Sequence, residues 1–400
     1  MFYECLNGKY RQSKDKPLFG RFSIGDGYMK QVSFLLCLTL MLCVQGCGQP
    51  EQTDARVSIQ DSDARVYEVF GKYFPDIPGY KTLVCDFHTH TVFSDGLVWP
   101  SVRVDEAKRE SIDVIAITDH IEYLPHKDDL LKNHNRSYRI AKEAGDKKNT
   151  LVIKGTEITR DTPPGHYNAL FISDVSPLDH EDFLTQIERA NKQNGFVFWN
   201  HHTWKGEQKG LWEQIQTTMY DKGWLHGMEV ANGRTYYPLA HKWCLDKDLT
   251  MLGNSDIHEP SINHKYTPDK HRSLTLVFAK ECTRESVREA LDSGRTAVWY
   301  QNKLIGKEEY LNKLFKQIVK ASDFKKENGN ITCKLTNSAL IDLNMERKGK
   351  HGPEKITIPA KSSVSLTSKN NKIKYYVTNL QTNPKESLVV EIILATQEAK

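Results

Sequence analysis

Between residues 83 and 278, short apolar runs of β type alternate with stretches of helical period, and imidazole and carboxylate side chains stand just past the runs. Residues 112–118, Ile-Asp-Val-Ile-Ala-Ile-Thr, form a near-continuous apolar run, the pattern of a strand buried on both faces. Further strands are expected at 83–87, 151–154, 167–172, 196–199, 227–230, 250–252 and 274–278, and helices at 101–110 and 180–192. The second helix carries Phe183, Leu184, Ile187 and Ala190 on one stripe. Thr283 is placed to cap a helix over 284–291, with Gly294 as its stop. This alternation restricts the chain to a parallel α/β sheet or barrel, whose functional groups belong at the C-terminal strand ends.

Six segments carry those groups. They are Asp86-Phe-His88-Thr-His90 with Ser94-Asp95-Gly96, Thr118-Asp119-His120, Gly155-Thr-Glu157, Gly165-His166, Asn200-His201-His202 and Ser255-Asp256-Ile-His258. A strand end holds a side chain in a fixed direction on a rigid scaffold. Histidines two apart on a strand point to the same side, so His88 and His90 suit one cation. Imidazole and carboxylate without cysteine suit Zn, Mn or Fe engaged in oxygen chemistry rather than a closed structural zinc. The set points to a metal-dependent hydrolase. Asp86 and Asp119 precede ligands and are expected to orient them from behind. The remaining histidines are expected at the surface or in packing, with His202 a less clear case beside the expected ligand His201.

In order and wording these segments resemble the polymerase-and-histidinol-phosphatase (PHP) family of metal-dependent phosphoesterases, over about residues 83–300. Residues 155–172 resemble its secreted phosphodiesterase-like members most. The resemblance implies an α/β fold, a distorted (β/α)7 barrel holding two or three divalent metal ions (Zn, Mn or Fe). It implies that His88 and His90 share one ion with Glu157 and Asp256. Asp95, His120 and His258 would hold a second, and Glu157 would bridge to a third completed by His166 and His201. Asp95, His120, Glu157 and Asp256 would then carry the catalysis, with a metal-activated water as attacking group. Arg103, Arg160 and Trp204 are candidate substrate contacts, as are Trp99, Lys205 and Arg234, because each follows a metal motif or a strand end. Gly-x-Ser-x-Gly, P-loop and dinucleotide fingerprints are absent.

The ends of the chain read differently. Residues 32–44 are almost entirely apolar after Met29-Lys30, too short to span a bilayer and suited to a signal-peptide core. Val44-Gln-Gly-Cys47 resembles a bacterial lipoprotein cleavage box. The expectation is a leader over 1–47 with translation starting at Met29, then a tether and lead-in over 48–80. Export to the periplasm or cell surface and a lipid anchor on Cys47 follow from that reading. The net charge of +4 is small, and no basic run with interleaved aromatics occurs, so no nucleic-acid partner is expected. Beyond the leader only Cys85, Cys244, Cys282 and Cys333 remain, without a disulfide framework.

The metal-binding domain is expected over 81–300, followed by a connecting helix over 301–325. Its amphipathic part (308–321) has Tyr310, Leu311, Leu314, Phe315 and Ile318 as its stripe. Residues 326–400 alternate in β fashion and are expected to form a small β-sandwich, dispensable for the chemistry. The function expected is phosphoester hydrolysis on a small-molecule substrate, with phosphodiesterase activity first. Two alternatives stand beside it: a phosphomonoesterase of small phosphates, and a metal-retaining lipoprotein that binds without turnover. A diesterase calls for an apolar pocket for its second ester arm; a monoesterase calls for several cations around the phosphate.

Overall fold

A computed structural model of the chain describes residues 72–261 and 267–394. The expected leader, the Cys47 anchor and residues 48–71 of the expected tether lie outside the described residues. The remainder of the lead-in is packed rather than loose: Tyr73, Phe74 and Ile77 are buried, because their rings and side chains cover the foot of the sheet beside Trp299. Among the described residues, no helix is long and apolar enough to cross a membrane.

The first half runs β1 (Lys81–Asp86), α1 (Pro100–Arg109), β2 (Val114–Ile117), α2 (Arg136–Lys148), β3 (Leu151–Ile158), β4 (Tyr167–Leu170), α3 (Phe183–Lys192) and β5 (Phe196–Trp199). It continues with α4 (Gln214–Asp221), β6 (Gly227–Asn232), β7 (Thr235–Tyr236), α5 (Pro238–Lys247), β8 (Thr250–Asn254), β9 (Leu274–Ala279), α6 (Arg284–Asp292), β10 (Thr296–Tyr300) and β11 (Lys303–Gly306). β1 to β6, β8 and β9 stand where the apolar runs predict, whereas β7, β10 and β11 are not among the expected strands and β11 takes up part of the expected connecting helix; two shifts are instructive. β3 continues four residues past its apolar run and so carries Glu157 within the strand. The third helix begins at Phe183 rather than 180, because Asp182 stands at its N-cap and accepts the Thr185 N–H at 2.7 Å. Thr283 caps α6 as expected, accepting the Ser286 N–H at 3.3 Å.

β1, β2 and β3 pair in parallel, as do β5, β6 and β8; β4 joins the two groups antiparallel to both β3 and β5. On the far side β1 pairs antiparallel with β9, and β9 with β10. The sheet is therefore mixed, rich in parallel pairs, with helices in the connections. β1, β2, β5 and β8 are buried at all but one position, as a sheet covered on both faces requires.

The tail departs further from expectation. The helix α7 (Glu308–Ile318) buries its full expected stripe but ends at Ile318, where Val319 turns to extended backbone. Extended chain then replaces the rest of the expected connecting helix as β12 (Val319–Glu327), followed by β13 (Asn330–Asn337), β14 (Leu343–Arg347), β15 (Lys355–Ile358), β16 (Ser363–Ser368), β17 (Lys372–Asn383) and β18 (Glu386–Ile393). β12, β13 and β16 form a separate three-stranded antiparallel sheet. β14, β15, β17 and β18 instead extend the main sheet, because β17 pairs in parallel with β11. Leu335, Leu343, Tyr375 and Val377 from the tail share one apolar core with Trp299, Leu304 and Leu314.

Candidate metal centre

The six motifs converge beyond the strand ends. His88, His90, Glu157 and Asp256 meet most closely. His88 Nε2 lies 3.0 Å from His90 Nε2, 3.4 Å from Glu157 Oε2 and 3.2 Å from Asp256 Oδ1. His90 Nε2 lies 3.4 Å and 3.1 Å from the same two oxygens. His88, His90 and Glu157 stand close enough to share one cation, and His88 and Asp256 form a second such set with His201. A second group gathers around Asp95 Oδ1, a buried acceptor with no aligned donor, which faces His258 Nε2 at 3.1 Å, His120 Nε2 at 3.5 Å and His90 Nδ1 at 3.6 Å. A third joins Glu157 Oε1 to His166 Nδ1 at 3.1 Å and His201 Nε2 at 3.4 Å. In the second and third groups, in the set of His88, His90 and Glu157 and in the set of His88, His201 and Asp256, the ligand atoms all lie within 4.8 Å of one another. All nine expected ligands are thus brought together, and Glu157 turns one oxygen to the first group and the other to the third.

Electrostatics match the geometry. Burial disfavours the His88 imidazolium, yet Asp256, Glu157 and Glu229 beside it outweigh that and hold its pKa well above the usual range. His120 is likewise pushed up to about 10, against burial, by Glu157 and Asp95. Burial together with the neighbouring His120 charge brings His90 down to about 4. Burial also opposes ionisation of Glu157 and Asp256, but the imidazoles around them hold both well below the ordinary carboxylate range. A cation entering this cluster takes the place of protons on the histidines, so binding is coupled to proton release.

Backbone and side-chain ties hold the ligands. The Asp256 N–H donates to His88 O at 2.9 Å, and Thr89 pairs with Ile257, so the first and last motifs form one short ladder. Asp256 adopts φ +53°, the left-handed region, which an aspartate tolerates better than most residues. His258 Nδ1 donates to Asp256 O at 2.8 Å, leaving Nε2 to face Asp95. Asp86 accepts the N–H and the hydroxyl of Ser255, at 3.1 and 2.6 Å, and the His88 N–H at 3.5 Å, so it ties the first motif to the last. Asp119 similarly holds the 91–95 loop through Thr91 and Ser94 instead of touching an imidazole.

A cavity of about 570 Å³ opens over the cluster, lined on its outer wall by Thr203, Trp204, Asn232, Thr235 and Tyr237. Trp204 is 49% exposed, with its ring 5.2 Å from that of His166 and 5.8 Å from that of His201. Lys205 lies over the Trp204 ring at 4.2 Å rather than in the cavity lining. Two substrate expectations are corrected. Arg103 is completely buried and donates to His90 O at 2.9 Å, His258 O at 3.1 Å and Glu259 O at 3.1 Å, besides pairing with Glu106, so it clamps the site from below. Arg160 is bound to Glu122 and to the carbonyls of Thr159, His180 and Glu181 and does not line the cavity. Trp99 packs on Phe93, and Arg234 lies exposed on the turn after β6. His202 is buried among Trp199, Tyr237 and Trp243 and donates to Gly210 O at 2.6 Å, a packing role.

The motifs do not reveal Glu229, Asn232 or Asn254, and they assign no role to Asn200. Asn200 donates to Glu157 Oε1 at 2.8 Å, and Asn232 to Glu229 Oε2 at 2.8 Å. A glutamate inside the otherwise apolar run 227–230 is the one available signal, because a buried charge needs partners.

No family model matches the chain. A two-domain protein from Bacteroides vulgatus ATCC 8482, described as containing a predicted PHP-like metal-dependent phosphoesterase, has a crystal structure that matches with a TM-score of 0.77. It is 40% identical, over 83% of this chain and 100% of its own. An uncharacterized protein of Methanocaldococcus jannaschii is 41% identical over 80 residues, 20% of this chain, and the match spans only 34% of that relative. The chain belongs to the PHP-like metal-dependent phosphoesterases.

Proposed function

We propose that the chain is a phosphodiesterase of the cell envelope, acting on a small-molecule phosphodiester with two or three divalent ions (Zn, Mn or Fe) held by the nine clustered ligands. The observation that carries the diester reading is the cavity wall. Among the described residues lining it there is no lysine or arginine, since Arg234, Lys270 and Arg272 line a neighbouring cavity that shares Asp256 and His258, whereas Trp204 presents a half-exposed indole beside His166 and His201. A monoester dianion calls for cations around it; a second ester arm calls for apolar surface.

In this reading His88, His90, Glu157 and Asp256 hold one ion, Asp95, His120 and His258 a second, and Glu157, His166 and His201 a third. Bound ions supply Lewis acidity to the phosphoryl oxygens and lower the pKa of coordinated water. Glu157, buried between the groups, is the anion that separates their positive charges. His258 is kept with Nε2 free by the bond from its Nδ1–H to Asp256 O. Trp204 and Tyr237 seat the ester arm that does not leave.

The finer architecture follows the same reading. The run from β8 through β6, β5, β4, β3, β2 and β1 to β9 closes as a distorted barrel, supported by the Thr275 hydroxyl, which accepts the Gly253 N–H at 3.0 Å and donates to Gly253 O at 2.8 Å across the seam. The tail strands pack as a sandwich on its foot. The leader and the Val44–Cys47 box support export and lipid anchoring. The test is elemental analysis of the purified chain together with turnover of bis-p-nitrophenyl phosphate and p-nitrophenyl phosphate with added Mn or Zn. Two or three ions and a diester preference are expected. A monoester preference overturns the diester reading, and absence of bound metal overturns the site.

A further inference from the structure

We propose that Glu229 is the positioning residue of the centre, fixing the tautomer of His88 and locking four strand ends to one carboxylate; the inference rests on reading the cluster as a metal site. Glu229 lies on β6, 1% exposed, and belongs to none of the ligand motifs. Its Oε1 is 2.9 Å from His88 Nδ1 and 3.0 Å from Asn254 Nδ2. Its Oε2 accepts the backbone N–H of His201 at 2.9 Å and Asn232 Nδ2 at 2.8 Å. Those partners stand just past β1, at the end of β8, just past β5 and at the end of β6. Among the described residues no lysine or arginine lies within ion-pair distance of it, so these N–H groups surround the carboxylate instead of a countercharge.

The chemistry of the four partners decides the consequence. The amide nitrogens of Asn254 and Asn232 and the backbone nitrogen of His201 are donors only, and a carboxylate is an acceptor only. His88 Nδ1 completes the set only when it carries a proton. With Nδ1 protonated and bound to Glu229, Nε2 is the nitrogen of His88 that faces His90, Glu157 and Asp256 and gives up its proton to a cation. A carboxylate behind a ligating histidine fixes ring orientation and raises its basicity. Through Asn232, which also reaches Asp256 Oδ2 at 3.4 Å, the same carboxylate steadies a second ligand. The arrangement is unsuited to glutamine: whichever way its amide is turned, an NH₂ faces two N–H donors.

The experiment uses the full chain in two readouts. Long-range ¹H–¹⁵N spectra of the histidine rings, followed up in pH until the His88 ring holds a single proton, report which nitrogen keeps it, and competition with a chelator gives the affinity for Zn²⁺ alone. In the wild type Nδ1 is expected to carry the proton, and Glu229→Gln is expected to weaken zinc binding about tenfold or more, with far-UV circular dichroism unchanged. An unprotonated Nδ1 in the wild type overturns the proposal, as does a Glu229→Gln chain that binds zinc with wild-type affinity. Should Glu229→Gln fail to fold, the Nδ1 result on the wild type decides by itself. A wild type that binds no zinc overturns the metal reading, and the Nδ1 result still decides the role of Glu229.

Discussion

Asp256 shows how much one residue carries at this site. Its carboxylate faces His88 and His90, its N–H closes the ladder to His88 O, and its backbone occupies a left-handed conformation. Asparagine tolerates that conformation as well as aspartate does, so Asp256→Asn removes charge without straining the chain. We expect Asp256→Asn and His90→Ala each to lower kcat/KM for the diester by about 10²-fold or more, about 2.7 kcal/mol of transition-state stabilisation, with the far-UV spectrum unchanged. Wild-type turnover in either variant would remove that residue from the site. At this scale the nine candidate ligands are legible in the sequence because ligand residue types recur at or just past apolar runs. The place of Arg103 is not: the sequence offers it only as a candidate substrate contact, because Pro-Ser-Val-Arg-Val-Asp-Glu gives no sign of what its guanidinium meets. Only the fold reveals that its guanidinium lies under two ligand-bearing segments.

Elements are legible in proportion to how strongly burial shapes their sequence. β2, β5 and β9 are continuous apolar runs and stand where expected. β12 is mostly exposed, reads Val-Lys-Ala-Ser-Asp-Phe-Lys-Lys-Glu, and gives no period to follow; its pairing with β13 makes it a strand. Two elements meet closely at β8. A Cβ on Gly253 would stand 2.4 Å from Val298 Cγ1 and 3.0 Å from Leu274 O, so β8 approaches β10 only because residue 253 has no side chain. Gly253→Ala is expected to cost about 1–3 kcal/mol by overpacking, and to disturb the ligands that follow β8. Chemical denaturation checks it, and Val298→Ala in the same chain should recover most of the loss. An unchanged midpoint for Gly253→Ala would show that the seam can yield.

For the whole molecule the tail is the main correction. With Leu335, Leu343, Tyr375 and Val377 in the same core as Trp299, Leu304 and Leu314, and β17 paired to β11, residues 326–394 are part of the structure that supports the site. Their removal would expose Leu311, Leu314, Phe315 and Ile318, all now buried. We therefore expect a chain cut at residue 325 to aggregate on gel filtration and to lack a cooperative melt; a monomeric fragment melting like the full chain would refute this. Acid sensitivity is also a property of the whole fold. Burial brings His226 and His241 down to about 4, and His226 Nδ1 accepts the Val197 N–H at 3.0 Å, which its protonated form cannot do. An unfolded histidine takes up its proton near pH 6.5. These groups therefore favour unfolding increasingly as pH falls from about 6.5 to 4, and have no effect above that range. Urea midpoints between pH 7 and 4.5 should fall, less steeply in His226→Gln; equal slopes would place the acid sensitivity elsewhere.

The sequence by itself determined which residues can bind a cation, which runs are buried, and the α/β alternation, because each depends on residue type and local period. The tertiary structure alone decided that Glu229 meets His88 across 141 residues of chain, that Arg103 lies beneath the site, and that the tail completes the core. Those outcomes depend on pairs of groups distant in the chain. A buried donor or acceptor must find its partner wherever packing places one, and local pattern carries no record of that place.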